Sequence, residues 1–169
     1  KPAAGILSGG PRSTLDPDAP DIDFEYLRGM GVPILGVCYG MQLLNRKFGG
    51  EVAPGNTREY GPAKLFTKSD SPLFEGITEE SQIWMSHSDT CTMPKTATIL
   101  GENQDKIPVG LQWDENVFGI QFHPEVSHTD EGTQILGNFL SPFQTRNRLK
   151  KLETLLLINA YIRRTYSRK

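Results

Sequence analysis

The sequence predicts an α/β domain, a mostly parallel sheet flanked by helices, and two observations carry that expectation. Short apolar runs of strand type alternate with stretches of helical periodicity along residues 4–140. Two of those strand-like runs end in residues that can do chemistry, Cys38 and His123. Open α/β sheets gather such groups outside the carboxyl ends of their strands.

Residues 4–7 read as a short buried strand leading into the loop Ser8-Gly9-Gly10-Pro11-Arg12. A Ser-Gly-Gly loop could begin a phosphate cradle, but Pro11 removes a donor N–H and Arg12 stands where a nucleotide loop of that type carries a carboxylate. A nucleotide loop is therefore not expected, and a plain turn is the competing reading. Residues 16–23 form a Pro- and Asp-rich loop, and residues 24–29 form a short helix stopped by Gly29. A strand over 33–37 then runs straight into Cys38, with a helix over about 41–48 starting directly after it. Cys38 would sit on a tight turn between Gly36 and Gly40, whose missing side chains let backbone and substrate approach. A thiol at a helix N-terminus meets unpaired N–H groups and the positive dipole end, which favour the attacking thiolate. The other reading of a lone cysteine is a buried structural residue.

Beyond the elbow, Met41, Leu44 and Phe48 recur at helical spacing, Gln42 lies one turn past Cys38 on its face, and Gly49-Gly50 ends the helix. Short strands are expected over 63–67, 82–85, 97–100 and 109–113, with Ser86-His87-Ser88-Asp89 in a loop and Glu59-Tyr60-Gly61 in a structural turn. A last strand ends in His123-Pro124-Glu125. Two residues apart in extended chain, an imidazole and a carboxylate share one face, so Glu125 could fix the tautomer of His123 and stabilise its protonated form. Cysteine at one strand end and His-x-Glu at another make a nucleophile, a base and an orienter. A metal site from His87, His123 and His128 is not expected, because zinc sites use tighter clusters. Ile135, Leu136 and Phe139 place a docking helix over 133–140.

Gly36-Val37-Cys38-Tyr39-Gly40-Met41-Gln42 together with Phe122-His123-Pro124-Glu125-Val126-Ser127-His128-Thr129 resembles the class I (triad) glutamine amidotransferases. Trp84-Met85-Ser86-His87 and His128-Thr129 resemble the GMP synthase branch of that family. The resemblance spans roughly residues 5–140 and implies a flavodoxin-like amidotransferase fold. It implies catalysis by Cys38, His123 and Glu125, and an oxyanion hole from the N–H groups of Gly10 and Tyr39. Glutamine would be bound by Gly9, Gln42, Ser86, His87, Ser88 and Asp89. Ser88 stands where the family usually has glycine, so a positive φ there would cost strain. Glutamine would be hydrolysed to glutamate and ammonia, with the ammonia supplied to GMP synthesis from XMP. No cofactor is expected in this domain; ATP and magnesium would belong to an ATP pyrophosphatase (synthetase) partner domain or subunit. Two alternatives remain: a degenerate, inactive amidotransferase-like binding module, and a γ-glutamyl hydrolase-type enzyme using the same triad.

With 169 residues, 37% hydrophobic and 22% charged, the chain holds one domain with a core and is too short for a two-domain synthetase. The amidotransferase domain is expected over 1–143 and a basic amphipathic helical tail over 144–169, where leucines and isoleucines recur among basic residues. A solvated tail is the other reading of that stretch. The tail has eight basic residues against Glu153, which leaves ten basic and nineteen acidic residues before it. So acidic a body excludes a nucleic-acid binder. Two cysteines make no disulfide framework, and no apolar run approaches a membrane span, a composition that fits the cytoplasm and argues against a membrane role. Family members carry a further segment ahead of the Ser-Gly-Gly loop, with a central first strand, so this sequence is expected either to be a fragment or to fill that place with another segment.

Overall fold

The computed structural model of the protein describes residues 2–68 and 70–147. Its elements run β1 (Gly5–Leu7), α1 (Phe24–Gly29), β2 (Ile34–Val37), α2 (Tyr39–Lys47), β3 (Glu51–Thr67), a 3-10 turn (Pro72–Phe74), β4 (Ser81–Thr92), β5 (Thr98–Glu102), β6 (Pro108–Asp114), β7 (Val117–Ile120) and α3 (Gly132–Asn147). The strands form one seven-stranded array in the order β1-β2-β7-β6-β5-β3-β4. The α/β class holds, while the pairing departs from the expected mostly parallel sheet. β1–β2 and β2–β7 are parallel, and the four remaining pairings are antiparallel. Helix α1 links the parallel pair β1–β2, and β7 comes to lie parallel to β2 only after α2 and four further strands; β5–β6 and β6–β7 are consecutive strands joined by turns, which return the chain antiparallel.

All four residues of β2 are buried, as expected of a parallel strand covered on both faces. Alternate residues of β2 enter two different cores. Leu35 and Val37 join Ile120, Phe122, Leu65, Ile83, Ile135 and Phe139 on the side of α3. Ile34 joins Leu7, Met41, Leu44, Phe24, Leu27 and Trp113 on the side of α1 and α2. Asp23 caps α1 by accepting the Tyr26 N–H at 2.9 Å. Gly49, at φ +84, takes the left-handed turn that ends α2 after the Phe48 cap.

β3 starts twelve residues earlier than the expected strand over 63–67, at Glu51. Pro54, Gly55, Gly61 and Pro62 hide it from a propensity reading. They are tolerated because β3 pairs only with β4 until Phe66, and the register shifts between Pro54 and Glu59. β4 likewise extends to Thr92, so Ser86-His87-Ser88-Asp89 lies in a strand and not in the expected loop. Alternating burial continues through it. Ser88 is not among the positive-φ residues, so the strain expected for a serine there is absent. α3 runs on through residue 147, past the expected start of the tail at 144; the rest of the expected basic helix lies outside the described residues.

Candidate active site

Cys38 sits between the end of β2 and the first turn of α2 with φ 51 and ψ −106, a left-handed geometry rare for any side chain bearing Cβ. Neighbouring backbone holds it there. Its N–H donates to Ile120 O at 2.8 Å, and its carbonyl accepts the Gln42 N–H at 3.1 Å. The small flanks are required by contact: a Cβ on Gly36 would lie 2.6 Å from the Gly40 carbonyl, and one on Gly40 would lie 2.1 Å from Leu7 O. The elbow is thus wedged between β1 and β2. The Cys38 thiol reaches Ser86 O on β4 at 3.7 Å.

His123 follows β7 and is fixed mainly by β4. Its N–H donates to Trp84 O at 3.0 Å. The Thr129 hydroxyl donates to His123 O at 2.6 Å and accepts the Trp84 N–H at 3.1 Å. Nδ1 of His123 lies 2.7 Å from Glu125 Oε1. The contact does not follow from extended-chain spacing, since residues 121–125 lie beyond the end of β7 and Pro124 and Glu125 are in a turn. Glu125 reaches the ring because the chain folds back after Pro124, not because strand faces alternate. Nε2 is buried without an aligned hydrogen bond, and the Cys38 sulfur beside the ring is the largest influence raising His123 to about 10. The Glu125 hydrogen bond adds to the rise and burial opposes it. Burial pushes Glu125 up, but the hydrogen bond and charge of His123 outweigh it and hold the carboxylate below its ordinary value.

Gly9 fills the gap in front of this pair: a Cβ there would lie 2.9 Å from His123 Cε1 and 3.4 Å from Cys38 Cβ. Gly10 lies beside Tyr39, a Cβ on it falling 4.0 Å from Tyr39 Cγ. Tyr39 opens α2, so its N–H has no partner within the helix. Burial, with Asp21 adding, pushes the Tyr39 phenol up to about 12, and that hydroxyl donates to Pro20 O.

A cavity of about 520 Å³ opens over these groups. Of the residues anticipated for the site, Gly9, Gly10, Cys38, Tyr39, Gln42, Ser86, His87, Ser88, Asp89 and His123 all line it; Glu125 stands behind His123. Buried Gln42 sends Nε2 towards Asp89 O at 3.4 Å and Gln121 Oε1 at 3.5 Å. The Ser13 hydroxyl donates to the Asp89 carboxylate, fastening the glycine loop to β4. The three histidines have separate environments: His87 lies 2.9 Å from Glu59, the His128 ring lies tilted against Trp84 with centroids 4.5 Å apart, and His123 holds Glu125. Tyr60, Arg12 and Ser13 line the cavity without having been anticipated. For Tyr60 the signal was its place in Glu59-Tyr60-Gly61, read as a structural turn and found inside β3.

The sequence profile described as "Glutamine amidotransferase class-I" matches residues 1–142. The chain is 49% identical over 142 residues to the GMP synthase [glutamine-hydrolyzing] of Thermus thermophilus, covering 83% of this chain and 28% of that protein. It is 45% identical over 144 residues to the enzyme of the same description from Nitratidesulfovibrio vulgaris, with the same coverage. The chain thus spans little more than a quarter of the length of these curated relatives. Among solved structures, a candidate GMP synthase subunit from Thermoplasma acidophilum superposes with a TM-score of 0.71 at 28% identity, over 88% of this chain and 76% of that one. A glutamine amidotransferase of Thermotoga maritima shares the fold at a TM-score of 0.62 and 22% identity, over 88% and 66%. With an elbow cysteine, a histidine and a carboxylate gathered at one cavity and a family profile spanning that whole body, the chain belongs to the class I glutamine amidotransferases.

Proposed function

We propose that this chain hydrolyses L-glutamine to glutamate and ammonia through Cys38, His123 and Glu125. The observation that supports the reading most is the order of groups at the cavity: thiol, imidazole, then carboxylate 2.7 Å behind the ring. In the proposed cycle the Cys38 thiolate attacks the carboxamide carbon, and the N–H groups of Gly10 and Tyr39 receive the oxygen as it becomes negative. Removing one such donor in other enzymes costs about 3–4 kcal/mol of barrier. As the C–N bond breaks, protonated His123 gives its Nε2 proton to the leaving nitrogen, and ammonia departs. The neutral ring then takes a proton from a water that attacks the thioester, and glutamate leaves with the thiolate restored. Glu125 balances the imidazolium at each stage. Gln42, Ser86, His87, Ser88 and Asp89 would hold the amino-acid end, with Gly9 leaving room for the reacting carbon.

Ammonia would go to an ATP pyrophosphatase domain or subunit that converts XMP to GMP, in the cytoplasm; the GMP synthases at 49% and 45% identity favour this destination. ATP and magnesium would bind on that partner. Among the described residues no helix is long and apolar enough to cross a membrane.

The test is glutamate release from glutamine by the purified chain, alone and with a synthetase partner. A glutamine analogue carrying an electrophilic ketone should modify Cys38 and spare Cys91, whose thiol burial, with Asp89 adding, pushes up to about 12. Binding of glutamine without turnover, with and without partner, would identify an inactive binding module. Preference for folyl-polyglutamate would identify a γ-glutamyl hydrolase. Labelling at Cys91 would remove Cys38 from its role.

A further inference from the structure

A second histidine–carboxylate pair lies against the same cavity, and the cycle above gives Glu59 no part. Glu59 on β3 stands directly opposite His87 on β4, where pairing resumes after the register shift that follows Pro54. Its Oε2 lies 2.9 Å from His87 Nε2, an ion-pair distance at which neither atom is aligned for a hydrogen bond. Its Oε1 accepts from Asn103 Nδ2 at 2.9 Å. The far nitrogen of His87, Nδ1, lies 2.8 Å from Asp89 O, so the ring meets an oxygen acceptor at each side. The side chains are 6% exposed for His87 and 18% for Glu59. Asn103 cannot drift, because its Oδ1 accepts the N–H groups of Asp105 and Ile107 at 3.0 and 2.9 Å.

A chain of contacts therefore runs from the turn after β5 through Asn103 and Glu59, across the 2.9 Å approach to His87, to the Asp89 carbonyl. That carbonyl also faces Gln42 Nε2 at 3.4 Å, and three residues back along β4 the Ser86 carbonyl meets the Cys38 thiol. A carboxylate enclosed this far is costly to place unless its partners hold it, and partners so held resist displacement in turn. β4 from Ser86 to Asp89 is one wall of the cavity, and beside its backbone pairing with β3 the His87 ring gives it a side-chain anchor at this point.

We infer that Glu59 is a positioning residue for the amino-acid end of the substrate: through His87 it fixes the Ser86–Asp89 wall beside Gln42 without touching the ligand. The inference rests on the glutamine reading given above and adds to it a specificity role for β3. A salt bridge serving only stability would change the melt and leave the balance between binding and turnover alone. A positioning role should change binding while the nucleophile remains competent.

The experiment compares the full chain with Glu59→Gln, His87→Asn and the double variant, reading kcat and KM for glutamine hydrolysis. Glutamine affinity is measured by calorimetry, and alkylation of Cys38 by iodoacetamide is followed by mass spectrometry. E59Q should raise KM and Kd about tenfold with kcat within about threefold and unchanged alkylation of Cys38. On the H87N background it should add less than about twofold, since Glu59 acts through that ring. Should E59Q not fold, Glu59→Asp keeps the charge and withdraws it by one methylene, and it should give an intermediate rise in KM. KM at the parent value in the folded variant, or an undiminished E59Q effect on the H87N background, overturns the role of Glu59 alone. A parent chain that neither binds nor hydrolyses glutamine overturns the glutamine reading, and this inference with it.

Discussion

Thr129 and Trp84 meet through a single hydroxyl: Thr129 Oγ1 accepts the Trp84 N–H at 3.1 Å while donating to His123 O at 2.6 Å. That one oxygen joins the turn carrying His123 to the strand that walls the cavity. Thr129 is 5% exposed, so the hydroxyl itself is shielded from water. Thr129→Val keeps the shape and removes the hydroxyl, leaving a donor and an acceptor unpaired. The expected cost is about 1–3 kcal/mol of stability, read by denaturant unfolding, together with a fall in kcat as His123 loosens. Parent-like unfolding and turnover in T129V would show that the hydroxyl is dispensable.

Glu125→Gln keeps a hydrogen-bond acceptor beside His123 Nδ1 but removes the charge. Because the Glu125 side chain is 53% exposed, water replaces part of that charge, and the loss should be smaller than for a buried orienter. We expect kcat lower by roughly a hundredfold with KM little changed, measured by steady-state glutamate release. Unchanged turnover would make Glu125 a structural residue.

The neighbourhood of Cys38 was legible in the sequence because its chemistry is local. A strand, a cysteine between glycines and a helix are consecutive, and the close contacts of Gly36 and Gly40 with the neighbouring backbone explain why small residues stand there. His123 and Glu125 were legible for the same reason, although they meet in a turn and not along a strand. Thr129, Glu59 and Asn45 were not. Thr129 works on Trp84, 45 residues earlier, Glu59 on His87 and Asn103, and buried Asn45 on the carbonyls of Glu51 and Thr92 at 2.9 and 3.1 Å. A period of two or 3.6 residues carries no information about such pairings. The sheet misled for a related reason. Alternating strands and helices ahead of residue 50 suggest parallel pairing throughout, while the hairpin of β3 and β4 was obscured by prolines that a strand paired on one side accepts.

Folding stability should follow the charge state of His123 and Glu125 in a defined window. The His123 pKa is raised from 6.5 to about 10, so its contribution is full below about pH 6.5, declines as pH rises and is gone once pH passes about 10. The Glu125 pKa is lowered from 4.5, so its contribution is present above about 4.5 and is lost as pH falls through the folded value. Both are in full force between 4.5 and 6.5. Urea unfolding of the parent and of His123→Gln from pH 4 to 10.5 should show a stability difference that is largest in that window and shrinks towards pH 10. Cys38→Ser removes the largest influence on the ring and should move the upper limb to lower pH. A difference independent of pH would show that His123 is not held protonated.

Gly9 and Gly40 separate the requirements of the site from those of the fold, and the same substitution at each should fail in a different way. A Cβ on Gly40 would fall 2.1 Å from Leu7 O, which is strand backbone and cannot turn aside. Gly40→Ala must therefore push β1 off α2, and a loss of roughly 3 kcal/mol or more is expected from overpacking of that kind. A Cβ on Gly9 meets side chains instead, His123 Cε1 at 2.9 Å and Cys38 Cβ at 3.4 Å. The imidazole can rotate away, so Gly9→Ala should melt within a few degrees of the parent. The rotation breaks the approach of Nε2 to the sulfur and narrows the space for a tetrahedral carbon, and displacements of about 1 Å cost on the order of a hundredfold in rate. Glutamate release together with thermal unfolding of the two variants reads both effects at once. A fully active G9A would place the reacting carbon elsewhere in the cavity, and a G40A as stable as the parent would show that β1 yields where the packing says it should not.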